Sequence, residues 1–280
     1  MKKKIRVIHH LAKTGGTIIS RCLGCMENVT LLSEVHPIDN EILRLIAHPL
    51  QQAYFWFNLL SKEEIIAIDQ KGFMSFIDSI KLIDQKTVDR HQNLVLRDWS
   101  HLDFLGTPFI NPSYQLTTNQ YLQKDFDILE IATIRHPIDQ WLSMQKVPTL
   151  RNISISDYLL GYVNFVKACD SMPFFRYEDF TQSPTMIMRS LCHVLEINYD
   201  ETFIHNWMNY ITITGDVKQL NQDTNIFYRP SIYDPDLVRI FREEDNYFKI
   251  MERFDYSSPV SNAEYSRYSD PKGLRPLQLA

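Results

Sequence analysis

Ile5-Arg6-Val7-Ile8-His9-His10-Leu11-Ala12-Lys13-Thr14-Gly15-Gly16-Thr17-Ile18-Ile19-Ser20 is the stretch on which the reading of this chain turns. A β-branched run leads into Lys-Thr-Gly-Gly-Thr, and an apolar segment from Ile18 to Met26 then has the texture of a helix. A strand, a glycine turn and a helix together present unpaired backbone N–H groups to an anion. Gly15 and Gly16 can adopt positive φ and let a phosphate approach the backbone. Lys13 adds a mobile positive charge, and Thr14 and Thr17 add hydroxyl donors. The stretch therefore predicts a phosphate or sulfate site at the start of the first helix. It is not a Walker A loop, whose lysine follows the glycines, nor a Gly-x-Gly-x-x-Gly turn. A tight turn that holds no ligand is the lesser alternative reading of the same stretch.

Working outward, 280 residues with 44% hydrophobic content suffice for a full core in one domain, with room for an insertion. A formal charge of −5 argues against a broad nucleic-acid surface. Lys2, Lys3 and Lys4 precede a segment too short and too polar for a signal peptide, and no apolar run reaches membrane-spanning length. These features point to a soluble, cytoplasmic protein. The four cysteines are Cys22, Cys25, Cys169 and Cys192. Cys22 and Cys25 share one helical face, but no second Cys/His pair stands at zinc-site spacing, so they read as buried thiols.

Further along, Asn28–Glu34, Asn93–Arg97, Asp127–Ile134 and Met172–Tyr177 read as strands. Residues 38–91 are helical in texture, with Ser61 before Lys62-Glu63-Glu64 as an N-cap, and form an insertion longer than a minimal crossover. Its aromatics Tyr54, Phe55, Trp56 and Phe57 would either shape a pocket or pack in the core. Residues 105–124 read as a loop, and Ser156, Ser183-Pro184 and Asp234-Pro235 as helix starts. Strands alternating with helices predict an α/β fold: a central, mostly parallel β-sheet flanked by helices, in a single domain over 1–256, with a polar tail over 257–280. Ligands in such sheets bind beyond the carboxyl ends of the strands. Lys13, Glu34, His101 and Arg135 all fall at such ends.

Three segments carry a resemblance to a known family. His10 to Thr17 is similar to the 5′-phosphosulfate loop of sulfotransferases that use 3′-phosphoadenosine 5′-phosphosulfate (PAPS). Ile134-Arg135-His136-Pro137 with Ser143, six residues after the proline, resembles their 3′-phosphate element. Phe175-Arg176-Tyr177-Glu178-Asp179-Phe180 resembles their Arg-Tyr-Glu-Asp segment. The motifs occur in family order, the first two about 120 residues apart. Tyr228-Arg229-Pro230 and the stretch to Phe254 resemble the C-terminal lid and helix. The resemblance implies a P-loop-like sulfotransferase fold. It implies donor contacts from Lys13, Thr14, Gly15, Gly16, Thr17, Ile18, Arg135 and Ser143, with 3′,5′-diphosphoadenosine (PAP) as product and no required metal. Taken singly, Arg135 reads as a surface ion pair and Ser143 as an ordinary helix hydroxyl.

Sulfuryl transfer needs in-line positioning, stabilisation of charge on the leaving oxygen, and a base for the acceptor. Lys13 suits the leaving group. The resemblance offers two bases: His101, in a post-strand His-x-x-Phe, and Glu34, which lacks the lysine expected before it. Histidine titrates near neutrality and ranks first. Asp98 would orient or replace it. His9, His10 and His36 read as structural, and in the lid Lys218, Asn221, Tyr228 and Arg229 match the family poorly. The acceptor would be a hydroxyl or amine on a small molecule, lipid or saccharide, and oligomeric state stays open. Two other readings stand beside this one: a P-loop-type kinase using ATP, and a non-catalytic nucleotide-binding protein of the same fold.

Overall fold

A computed structural model describes residues 2–38, 48–72, 74–215, 226 and 233–256. The proposed lid residues Lys218, Asn221, Tyr228 and Arg229, the tail 257–280 and part of the insertion (39–47) lie outside these. Strands β1 (Lys3–His10), β2 (Val29–Val35), β3 (Asn93–Asp98), β4 (Phe126–Ile134) and β5 (Phe174–Arg176) form one sheet in the order β2-β3-β1-β4-β5. Every pairing in it is parallel. The helices are, in chain order, α1 (Gly16–Gly24), α2 (Pro49–Phe55), α3 (Lys62–Gln70), α4 (Phe76–Val88), α5 (Ser100–Phe104), α6 (Thr117–Leu122) and α7 (Pro137–Gln145). They continue with α8 (Ile155–Ala168), α9 (Tyr177–Gln182), α10 (Pro184–Val194), α11 (Phe203–Asn206), α12 (Pro235–Arg242) and α13 (Asp245–Arg253).

The β1 run is apolar on both faces because helices cover both. Ile5 and Val7, with Leu32, Leu94 and Leu96, pack towards α2 and α4, whereas Ile8, Leu31, Val95 and Ile131 pack towards α1 and α10. Ile5, Val7 and Ile8 are fully buried, each contributing about 1.5–3 kcal/mol relative to exposure. β1 lies between β3 and β4, so the connections leaving it diverge and open a crevice at its carboxyl end.

Several boundaries differ from those read in the sequence. Helix α1 begins at Gly16 rather than Ile18. Tyr177 opens α9 instead of ending β5. Ser154, not Ser156, caps α8 by accepting from the Asp157 amide at 3.0 Å. The 105–124 segment contains α6, whose first amide, Thr117 N–H, donates to Asp103 at 2.9 Å. That cap comes from 14 residues upstream, which no local pattern reveals. Ser61 does form a capping box with Glu64. Of the insertion aromatics, Tyr54 and Phe57 pack against the cluster around Ile5 and Leu96, whereas Phe55 is exposed. Among the described residues no helix is long and apolar enough to cross a membrane.

Candidate functional site

A cavity of about 420 Å³ opens at the carboxyl end of the sheet. Lys13, Gly15, Gly16, Thr17 and Ile18 from the first turn line it, together with Glu34, His101, Arg135 and Ser143. Residues predicted from separate parts of the chain are thus gathered at one place. Thr14 is the exception. Its side chain is fully buried and its hydroxyl donates to the Leu11 carbonyl at 2.9 Å, so the predicted donor bonds inside the loop instead.

Gly15, which has no side chain to cap with, stands at the N-cap of α1 with φ +86°. A Cβ there would lie 2.2 Å from Tyr177 Cδ2. The close approach matters because the Tyr177 ring sits 4.7 Å from the Arg135 guanidinium carbon. Arg135 in turn donates to the Lys13 carbonyl at 3.4 Å. Its own carbonyl accepts from the Tyr162 hydroxyl at 2.7 Å, and the next amide, His136 N–H, donates to Glu178 at 2.8 Å. Glu178, half-buried, is pushed above the usual carboxylate range chiefly by loss of solvent.

At the end of β2 a bulge separates Ser33 from Val35 and places Glu34 at φ +54°. Gln52 from α2 repairs the ladder there, accepting from the Ser33 amide and donating to the Ser33 carbonyl, each at 2.7 Å. The bulge aims Glu34 at Arg97, with 3.1 Å between Oε1 and Nη2. Burial would raise the Glu34 pKa, but Arg97 and the Thr214 hydroxyl, 2.5 Å away, hold it below the usual carboxylate range. Glu34 is therefore a paired carboxylate and a weakened base.

His101 lies in α5, almost fully buried. Its Nε2 is 2.8 Å from the Thr107 carbonyl. A carbonyl only accepts, so Nε2 carries the proton and Nδ1 holds the free lone pair. Nδ1 has no hydrogen-bond partner among the described residues and less than 1 Å² of exposed surface, so the ring must shift slightly for Nδ1 to meet a ligand. Burial lowers the pKa of the ring below its ordinary value, leaving a neutral imidazole at neutral pH. Asp98 does not support it. That carboxylate binds His9 at 2.9 Å, Ser100 at 2.6 Å and Thr118 at 2.5 Å. These contacts keep it near pKa 2 despite burial. His9, against Asp98 and Glu130, is raised to about 9 although burial opposes this. His10 is lowered to about 3, first by burial and then by Arg97.

Sequence reasoning missed four contributors. Arg97 is 3% exposed at the end of β3 and lines the cavity. Its signal was a charge directly after the apolar run Leu94-Val95-Leu96, still within the strand. Tyr177 was quoted within a motif but given no role. Thr214 and Gly215 reach the site from far along the chain and carry no local mark. Among the described residues no group of three or more His, Cys, Asp or Glu could hold a metal. Lys13 and Arg135, a helix start and a neutral imidazole lining one cavity make a place for an anion beside a proton acceptor.

No protein-family profile matches the sequence, and no curated protein matches it. Among solved structures the chain is similar to the sulfotransferase domain of the Synechococcus PCC 7002 olefin synthase, at 16% identity and a TM-score of 0.61, over 92% of this chain and 98% of that one. Weaker likenesses include sulfotransferase STF9 from Mycobacterium avium (12% identity, TM-score 0.49, 93% of this chain and 79% of that one). Mouse sulfotransferase SULT7A1 complexed with PAP is another (13%, 0.41, 87% and 83%). The fold assignment rests on the first of these. With its five parallel strands and glycine turn after β1, the chain has the sulfotransferase fold.

Proposed function

We propose that this chain transfers a sulfuryl group from PAPS to the hydroxyl or amine of a small-molecule, lipid or saccharide acceptor, releasing PAP. One observation carries the reading: the glycine loop and Arg135, 122 residues apart from Lys13, meet at a single cavity. PAPS is anionic at two places and needs two sets of donors. Lys13 and the free amides at the start of α1 suit the 5′-phosphosulfate. Arg135, flanked by the Tyr177 ring, and the Ser143 hydroxyl suit the 3′-phosphate.

In the proposed step the acceptor oxygen attacks sulfur, and the bond from sulfur to the 5′-phosphate oxygen breaks. The electron pair stays on that oxygen, where Lys13 stabilises it. The acceptor proton goes to His101 Nδ1, the one atom in the ring left with an open lone pair. General base catalysis of this kind contributes about 10²–10⁴-fold. Glu34, the second candidate base, acts instead as the counter-ion of Arg97. The same reading treats residues 1–256 as one catalytic unit working in the cytoplasm.

Calorimetry with PAP and with adenosine 5′-phosphosulfate, which lacks the 3′-phosphate, tests the proposal. Arg135→Met should weaken PAP about 10- to 100-fold, the loss of a bond to a charged group, and leave the second ligand unchanged. Lys13→Ala should weaken both. A wild type that binds neither ligand, or an Arg135→Met that treats them alike, would defeat it.

A further inference from the structure

Arg97 is a buried cation at the cavity that the mechanism above leaves without a role of its own. A guanidinium has five N–H groups, and here all five have acceptors. Nε donates to His10 Nε2 at 2.9 Å. Nη1 donates to Ser33 Oγ and to the Thr214 carbonyl, both at 3.1 Å. Nη2 donates to Thr17 Oγ1 and to Glu34 Oε1, both at 3.1 Å. One side chain thereby ties together the end of β1, the first turn of α1, the end of β2 and the segment that reaches Gly215.

The direction of one of these bonds has a chemical consequence. Thr17 Oγ1 accepts from Arg97, so one of its lone pairs is occupied and its own proton cannot lie along that line. Thr17 lines the cavity at the second residue of α1. We propose that Arg97 is a positioning residue for the anionic 5′ end of the donor: it holds Thr17 as an acceptor towards itself and hence as an O–H donor towards the cavity. This rests on the PAPS reading above. Arg97 does not bind the anion itself, because its N–H groups are already taken and its charge is matched by Glu34. A second bond works to the same end. Because Arg97 donates to His10 Nε2, the His10 proton sits on Nδ1, which donates to the Leu11 carbonyl at 3.1 Å where the loop begins. Loop entry and first-turn hydroxyl are thus set by a single guanidinium.

A double-mutant cycle on PAP affinity tests this, with Arg97→Lys, Thr17→Val and the double variant, and with melting temperatures measured without nucleotide. Thr17→Val should weaken PAP about 10-fold, the loss of a hydroxyl donor to an anion, and Thr17→Ser should not. Arg97→Lys should weaken PAP comparably, and the double variant should lose no more than about 3-fold beyond the worse single one. Additive losses would mean that Arg97 contacts the ligand directly and would overturn the proposal. So would a fall in melting temperature with PAP affinity unchanged, which marks a purely structural role. Should Arg97→Lys fail to fold, Thr17→Val binding PAP as tightly as wild type still overturns it. Wild-type binding of PAP is the separate check on the donor reading.

Discussion

Replacing Gly15 by alanine would strike the site through two separable terms. The residue sits at φ +86°, where an L side chain costs about 1–2 kcal/mol. The new Cβ would also lie 2.2 Å from Tyr177 Cδ2 and 3.0 Å from Cε2, so the ring must move. Forcing extra volume into a packed site costs a further 1–3 kcal/mol or so. Gly72 separates the two, because it has nearly the same backbone, φ +93°, but nothing within 4 Å of its would-be Cβ. Gly72→Ala should therefore show the conformational term alone. For a chain of this size each kcal/mol is worth about 2–4 °C, so Gly15→Ala should melt several degrees below Gly72→Ala. The displaced Tyr177 ring would also leave Arg135, removing a cation–π contact worth roughly 0.5–2 kcal/mol. PAP affinity should fall about 2- to 30-fold in Gly15→Ala and stay constant in Gly72→Ala. Thermal melts and calorimetry on the two variants read both terms. Equal melting temperatures with unchanged affinities would refute the claim that Gly15 is glycine because of Tyr177.

Two further outcomes concern pH. His101→Gln should lower turnover by about 10²–10⁴-fold while leaving PAP affinity intact. Since burial holds the His101 ring below 6.5, the acid limb of the wild-type kcat profile should fall below that pH, and a limb above 6.5 would contradict the assignment. His9 behaves in the opposite sense. Its pKa is about 9 in the folded chain against 6.5 unfolded, so its contribution is complete below 6.5 and is lost as pH rises through 9. The loss should be about 3 kcal/mol in urea unfolding between pH 6.5 and 9.5, and His9→Asn should flatten it.

Much of the site was legible because its motifs are local. A strand followed by two glycines and a helix, with Lys13 before them, marks a candidate anion site in a few residues, and Arg135 before His136-Pro137 marks another strand end at the same cavity. Glu34 was legible as a candidate but not in its role, since its pairing with Arg97 depends on a bulge and on Gln52 from α2. The partner of the Thr14 hydroxyl was not legible for the same reason. That hydroxyl has a choice of partners, and the one it takes, the Leu11 carbonyl, follows from how the loop closes.

By itself the sequence determined where apolar runs recur and where glycine frees the backbone, and hence an α/β sheet with a phosphate-type turn after its first strand. Only the tertiary structure decided which nitrogen of His101 is open and whom Arg97 serves. It alone decided that Tyr177 roofs Gly15. The physical reason is that hydropathy reports whether a side chain is buried, whereas a buried polar group is defined by its partners. For Arg97 those partners lie as far away as Thr214, 117 residues along the chain.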